Sequence, residues 1–104
     1  MIVMSGRISR ITLGNDTPVM ANVTNNTNGK LLIQNAGVNP IWVGYDRIDV
    51  QAASARNYFV IPAGVLLVFD QSNGVGFLAQ DTGLWFSAQG GGGSELQIWV
   101  ANQD

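Results

Sequence analysis

The side chains on which most enzymes depend for catalysis are scarce in this sequence. Its 104 residues include no histidine and no cysteine, so the usual general base near neutral pH, a thiolate nucleophile and most zinc sites are excluded. A serine nucleophile would need Lys30, the only lysine, as its base, but no Ser-x-x-Lys spacing occurs. The glycines of residues 90–93 lack the Gly-Lys-Ser/Thr ending of a phosphate-binding loop. The sequence therefore predicts a protein that is not an enzyme.

Four aspartates remain as candidates for acid–base or metal chemistry: Asp46, Asp49, Asp70 and Asp81. Each follows or flanks an apolar run, where an aspartate commonly ends a strand and starts a turn by bonding its own backbone. Asp46 and Asp49 lie three residues apart and could join other oxygens around a calcium ion, but no EF-hand spacing is present. We predict structural roles for these residues, with no catalytic residue, cofactor or metal.

Aromatic side chains offer a different chemistry, because sugars stack on Trp and Tyr while Asn, Asp and Gln supply hydrogen bonds. The candidates are Trp42, Tyr45, Trp85 and Trp99. Trp42 and Trp85 are embedded in apolar runs, which is typical of a core or an interface. Trp99 lies on the otherwise polar side of its strand, where a tryptophan can be either a sugar platform or an interface anchor. The interface is the favoured interpretation, and carbohydrate binding stays as the alternative.

The charge distribution indicates which partners to expect. Charged residues make up 12% of the chain, about half the typical value of ~25%. The formal net charge is -2, and the four arginines form no run, so the basic patch that nucleic-acid binding requires is missing. The sequence shows no signal-peptide pattern and no apolar run long enough to span a bilayer. We expect a protein made in a cytoplasm that binds neither nucleic acid nor membrane.

The elements that would position these side chains are short strands. Helical periodicity is poor, and thirteen glycines punctuate the chain at the spacing of strands and turns. Strands are predicted over residues 8–13, 19–24, 30–35, 41–45, 58–61, 65–70, 84–87 and 95–100, with a weaker one around 75–79. The fold class is therefore all-β: a single β-sandwich or jelly-roll-like domain of about eight antiparallel strands over residues 7–104, preceded by an N-terminal arm of residues 1–6.

Turn residues predict how the strands are connected. Residues 31–46 and 57–70 each have the pattern of a hairpin, with the turns at residues 37–40 and around Pro62 and Gly64. Residues 90–94 are predicted to be another hairpin loop. Residues 46–56 have the only helix-compatible composition and are predicted to form an excursion between the sheets.

Two of the predicted strands are apolar on both faces. Residues 41–45 and 65–69 alternate apolar with apolar side chains, whereas a two-layer sandwich buries only one face of each sheet. The second face needs cover from a loop, from the N-terminal arm or from a neighbouring subunit, and the sequence leaves these three possibilities open.

From residue 31 onward the chain resembles the small β-sandwich structural proteins of tailed-phage virions. The segments that carry the resemblance are Asn35-Ala36-Gly37, Trp42-Val43-Gly44-Tyr45-Asp46, Pro62-Ala63-Gly64 and the glycine-separated terminal strand of residues 90–100. The resemblance implies a capsid decoration, or cement, protein on the capsid surface, which binds the major capsid protein, stabilises the shell and forms a homotrimer. Head-fibre, tail and baseplate components are similar and form the alternative.

A set of interface residues follows as a hypothesis from this resemblance and from the apolar pattern. Residues 1–4 would form an anchoring arm, free to extend before Gly6. Three aromatic residues would act as anchors, and two arginines would meet carboxylates of the capsid. The full set is Met1, Ile2, Val3, Met4, Arg7, Arg10, Trp42, Phe69 and Trp99.

Overall fold

The computed structural model describes residues 4–23, 29–70 and 83–103. These residues form eight strands and one short 3-10 helix between the fourth and fifth strands. The elements are β1 (Met4–Leu13), β2 (Val19–Asn22), β3 (Lys30–Asn35), β4 (Ile41–Gly44), the 3-10 helix (Arg47–Val50), β5 (Phe59–Ile61), β6 (Leu66–Asp70), β7 (Gly83–Ala88) and β8 (Ser94–Gln103). The weaker strand predicted around residues 75–79 lies outside the described residues.

The described strands form two four-stranded antiparallel sheets. Sheet A has the order β1-β8-β3-β6, and sheet B has the order β2-β7-β4-β5. The pairs are nested: β4 pairs with β5, β3 with β6, β2 with β7 and β1 with β8. This is the strand order of a jelly roll, in which a long antiparallel ribbon is rolled into two packed sheets. The predicted all-β antiparallel sandwich is confirmed.

The core lies between the inner faces of the two sheets. Alternate residues of each strand point inward, and the largest fully buried side chain among the described residues is Phe86 of β7. Around it pack aliphatic side chains from both sheets that are all nearly inaccessible to solvent: Leu13, Leu31, Ile33, Ile41, Ile61, Leu96, Ile98 and Val100. Burying such side chains stabilises the fold by about 1.5–3 kcal/mol each relative to leaving them in water.

The N-terminal boundary differs from the prediction. β1 begins at Met4 and pairs with β8 in unbroken register from Met4 opposite Gln103 to Leu13 opposite Ser94. Residues 4–6 of the predicted arm are therefore part of sheet A, because β8 is long enough to give them backbone partners. Residues 1–3 lie outside the described residues.

The connections also differ from the prediction. β3 and β4 belong to different sheets, and so do β5 and β6 and also β7 and β8. The three segments predicted as hairpins are therefore arches that cross from one sheet to the other. The segment predicted to cross between sheets, residues 46–56, instead joins β4 and β5, which are paired neighbours in sheet B. A turn of glycine and proline residues reverses the chain direction in a hairpin and in an arch alike. The local sequence therefore does not show which sheet the next strand enters.

Asn35 joins the three arches at one end of the sandwich. Its side chain is fully buried, and its Nδ2 donates to the carbonyl oxygens of Asn39 at 2.8 Å and Ile61 at 2.9 Å. Its Oδ1 accepts from the Gly37 N–H at 3.0 Å and from the Ser94 hydroxyl at 2.7 Å. One amide thus connects the β3–β4 arch to the end of β5 and the start of β8, and it satisfies backbone groups that burial would otherwise leave without partners.

The 46–56 excursion covers the outer face of sheet B. Val50 of the 3-10 helix is fully buried, and its carbonyl oxygen accepts a hydrogen bond from the buried Ser87 hydroxyl of β7. Beside it, the ring of Trp42 stacks on that of Tyr58 with the centroids 4.1 Å apart. The second apolar face of β4 is therefore covered by a loop and a neighbouring residue of the same chain, which answers the question that the sequence left open for this strand.

Asp16 links the β1–β2 connection to the same excursion. Its carboxylate accepts from the Gln89 amide at 2.7 Å and from the Ala52 N–H at 2.8 Å. These two hydrogen bonds, the Gln89 bond first, lower the pKa of the Asp16 carboxyl below its ordinary value of 3.8. The residue has a positive φ of 50°, a conformation that Asp and Asn tolerate better than most side chains.

We expect Asp16 to contribute to the acid sensitivity of the fold. Because its pKa is lowered in the folded state, its contribution is complete above pH 3.8 and is lost as the pH falls through the folded-state pKa. Asp16→Asn keeps the acceptor oxygen but cannot titrate. Urea unfolding at about pH 7 and about pH 3 should therefore show a smaller loss of stability in acid for Asp16→Asn than for the wild type.

The matched control for this experiment is Asp46→Asn. Asp46 is exposed, and its side chain makes no capping hydrogen bond to the 3-10 helix. The Asp46 variant should lose as much stability in acid as the wild type. An equal acid loss in the Asp16 variant and the wild type would contradict the assignment.

Candidate interaction surface

The outer face of sheet A carries an apolar row that crosses all four strands. In the register of the sheet, Ile8 of β1 lies opposite Trp99 of β8, Trp99 lies opposite Leu32 of β3, and Leu32 lies opposite Val68 of β6. Residues directly opposite in an antiparallel pair point to the same face, and the inner face is taken by the core. Ile8, Trp99, Leu32 and Val68 therefore form one continuous row on the outside, which we call the outer apolar row.

Most of this row is open to solvent. The exposed fraction is 69% for Ile8, 50% for Trp99 and 52% for Val68, and Leu66 in the adjacent row is 46% exposed. Leu32 is partly buried between its neighbours. A shallow groove of about 270 Å³ runs along the row and is lined by Ile8, Leu32, Leu66 and Trp99 together with polar side chains beside them. A contiguous apolar patch of this kind, rimmed by polar groups, is typical of an interaction site.

Polar side chains form the rim on one side of the row. In the same register the next row consists of Arg10, Gln97, Gln34 and Leu66. The Arg10 guanidinium makes two contacts to Glu95 Oε1, from Nη2 at 2.7 Å and from Nε at 3.0 Å. The charge of Arg10 is thereby balanced within the chain, and the two glutamines present neutral amides that can donate and accept hydrogen bonds.

Arg7 and Arg10 do not act as a pair on this surface. Arg7 is in register with Val100, so it belongs to the opposite face of β1. Its Nη2 donates to the backbone oxygen of Asn22 in β2 at 2.8 Å. This bond joins the β1 edge of sheet A to the β2 edge of sheet B. Of the two predicted arginines, only Arg10 lies beside the outer apolar row.

The predicted aromatic anchors are distributed over three different environments. Trp99 is half exposed on the outside of sheet A, as the alternation of β8 predicted. Trp42 is partly buried on sheet B and stacked on Tyr58. Phe69 is partly buried, and it points inward and packs against the core. Met4 pairs with Gln103 at the end of β1, and Met1, Ile2 and Val3 lie outside the described residues.

Four residues of the surface were not predicted from the sequence: Ile8, Leu32, Leu66 and Val68. Each lies in a strand whose apolar pattern was recognised, but the strands are far apart in the chain. Only the register of sheet A brings them together. β6 is apolar on both faces, so its sequence alone could not show whether Phe69 or Val68 faces outward.

Among the residues that the structure describes, no group of three or more His, Cys, Asp and Glu side chains that could hold a metal ion comes together. Asp46 occupies the N-cap position of the 3-10 helix without a side-chain capping bond. The carboxylate bonds described above belong to Asp16, which was not among the candidates, and they reach Ala52 and Gln89 far along the chain. Asp81 lies outside the described residues. Within the described part of the chain, no helix is long and apolar enough to cross a bilayer.

Comparisons with known proteins identify the fold. No protein-family model matches the sequence, and no curated protein matches it. A de novo designed double-stranded β-helix, solved by solution NMR, is similar with a TM-score of 0.58 and 13% identity over 90% of this chain and 97% of the designed one. An HTH_3 family transcriptional regulator from Vibrio cholerae is similar with a TM-score of 0.51 and 16% identity, over 90% of this chain but 41% of the regulator. At these identities the likeness shows the fold alone, a jelly roll in which two antiparallel sheets are wound as a double-stranded β-helix.

Proposed function

We propose that this protein is a non-enzymatic structural subunit of a larger protein assembly and that the outer face of sheet A is one of its contact surfaces. The observation that carries the proposal is the outer apolar row, which crosses every strand of that sheet and keeps Ile8, Trp99 and Val68 at least half exposed. Burial of apolar area contributes about 25 cal/mol per Å². Covering this row with protein is therefore favourable.

The assembly we propose is a virion. The segments that resemble virion proteins, Asn35-Ala36-Gly37 and Pro62-Ala63-Gly64, form the β3–β4 and β5–β6 arches of the jelly roll. We therefore propose a capsid decoration protein that is made in the host cytoplasm and binds the major capsid protein on the capsid surface. A head-fibre, tail or baseplate component is the neighbouring possibility, and it would use the same kind of contact.

The mechanism of such a protein is passive. Subunits that bind across the junctions of a shell add buried area to it, and expansion of the shell must first break those contacts. A few well-packed aromatic and apolar residues supply most of the binding free energy in a typical protein interface. Trp99 is the best candidate for this role here, because it combines a large side chain with a position in one of the two central strands of sheet A.

The proposal is tested by co-sedimentation with preassembled shells of the candidate major capsid protein. We expect the wild-type protein to sediment with the shells, and Trp99→Ser/Val68→Ser to bind at least tenfold more weakly, since the loss of an interface anchor costs about 2 kcal/mol or more. The matched control is Val38→Ser/Ile48→Ser. It removes two apolar side chains that are 85% and 57% exposed elsewhere on the molecule, and it should bind as the wild type does.

A contrary result would be that the wild-type protein stays in the supernatant with shells that are shown to be intact. Binding that is equal for the wild type and the Trp99/Val68 variant would separate the two parts of the proposal. The protein would then belong to the assembly but would contact it through another surface.

One observation favours a second candidate, a carbohydrate-binding module. Trp99 is half exposed in the groove, with the amides of Gln97 and Gln34 beside it, and an aromatic face next to hydrogen-bonding groups suits a sugar ring. Trp99→Ala distinguishes the two candidates in a glycan-binding assay run beside the shell assay. Loss of glycan binding with shell binding intact would favour the sugar module.

A further inference from the structure

We infer that a second copy of this chain packs against the outer apolar row, so that two copies of sheet A lie face to face. The inference rests on the proposed function in treating this face as a protein contact within an assembly. It assigns that contact to a second copy of the chain, so that the outside of the pair would meet the shell and shell binding would depend on Trp99 through pairing. Three features of the face lead to this partner: its width, its balance of charge and its area.

The width of the row requires a broad partner. Four strands spaced ~4.8 Å apart give a row about 14 Å long from Ile8 to Val68, with Trp99 and Leu32 between them. A sugar ring or a single extended peptide would cover only part of it. A second sheet with the same four-residue row covers the full length, since sheets stack face to face at about 10 Å with their side chains interdigitated.

The charges around the row allow identical copies to approach each other. On one side, Arg10 is paired with Glu95. The charge that Arg10 brings to the rim is therefore cancelled within each copy, by a partner on the same face. Like charges that face each other across an interface cost several kcal/mol, and a rim whose arginine is already paired avoids that repulsion between copies.

The area of the face is sufficient for a stable contact. From the lengths of β1, β3, β6 and β8, the face measures roughly 500 Å² in projection. The upright side chains make its accessible area larger than the projection. The face is thus close to the lower end of what each partner contributes to a standard protein interface, about 600 Å². The polar rim of Arg10, Gln97 and Gln34 around an apolar centre matches the usual anatomy of such interfaces.

The test is the molar mass of the purified protein in solution, measured by light scattering after gel filtration. The measurement is repeated over a series of protein concentrations in the micromolar range. We expect the wild type to have twice the chain mass of 11.1 kDa, or an even multiple of it, because face-to-face packing joins the copies in pairs. Trp99→Ser/Val68→Ser should dissociate at a concentration at least tenfold higher than the wild type, and Val38→Ser/Ile48→Ser should associate as the wild type does. Thermal unfolding of each variant shows that it is folded.

A thiol variant keeps the test decisive if the double substitution fails to fold. The chain has no cysteine, so Gln97→Cys places a single thiol on the outer face of sheet A, and Ala53→Cys places one on the exposed excursion. A short bifunctional thiol reagent should link Gln97→Cys into covalent dimers and leave Ala53→Cys largely monomeric.

A wild-type protein of one chain mass at all concentrations overturns the inference, and so does an oligomer that is indifferent to the Trp99/Val68 change and to the thiol position. Either result leaves the proposed function standing if the protein still sediments with shells through Trp99. Conversely, a Trp99-dependent oligomer that binds no shell supports the inference and counts against the virion proposal.

Discussion

Replacing Asn35 by leucine is expected to lower the free energy of unfolding by about 4 kcal/mol, because the buried groups that now bond its amide lose their partners. Leucine has a similar branched shape and keeps water out of the site. The Ile61 carbonyl oxygen and the Ser94 hydroxyl then stay buried without this partner, and the Gly37 N–H loses the acceptor that shapes the turn. Each buried donor or acceptor left unsatisfied costs about 1–3 kcal/mol.

The measurement is urea unfolding followed by tryptophan fluorescence. Asn57→Leu is the matched control, since it makes the same substitution at an exposed position, and it should change stability by no more than about 0.5 kcal/mol. If Asn35→Leu lost less than about 1 kcal/mol, the bonds of this amide would be replaceable and Asn35 would not hold the arches together.

Replacing Gly37 by alanine is expected to cost about 3 kcal/mol or more, through steric conflict with β8. A Cβ at this position would lie 2.1 Å from the Ser94 hydroxyl oxygen and 2.6 Å from the Glu95 backbone nitrogen. The hydroxyl is held by its bond to Asn35, and the nitrogen belongs to the backbone of the strand. Neither atom can move aside without disturbing the start of β8.

Gly64→Ala is the matched control for this effect. Gly64 has a positive φ of 80°, but a Cβ there would meet no atom within 4 Å. The Gly64 variant therefore reports the cost of the backbone conformation alone, about 1–2 kcal/mol. Gly37 has no positive φ, so its variant reports the cost of the steric conflict with β8. In urea unfolding the Gly37 variant should be clearly the less stable of the two, and the reverse order would contradict the close approach of the arch to β8.

The positions of the strands could be predicted from the sequence because alternation and turn residues act locally. The predicted strand at residues 30–35 coincides with β3, and the predicted strand at 41–45 ends one residue beyond β4. Connections could not be predicted in the same way. Whether a chain that reverses at Gly37 or Gly64 pairs with its neighbour or crosses to the other sheet depends on partners such as Ser94 and Glu95, which lie far along the chain.

The interaction surface was predictable only in part, for a related reason. Trp99 could be placed outside because its strand alternates cleanly between apolar and polar residues. Phe69 and Val68 are adjacent apolar residues of β6, and the choice between them depends on which face meets the core. The structure turns Phe69 inward and leaves Val68 in the outer apolar row. Ile8 and Leu32 join the same row only through their shared neighbour in β8.

The nested strand order determines when each sheet can form during synthesis of the chain. β8 lies between β1 and β3 in sheet A. Until residues 94–103 have been synthesised and have left the exit tunnel, β1 therefore has no partner strand and β3 can pair only with β6. Sheet B needs no part of β8 and contains the most local pairing, that of β4 with β5, and local pairings form fastest. The outer apolar row, with Trp99 as a member, therefore cannot exist on a nascent chain that lacks β8.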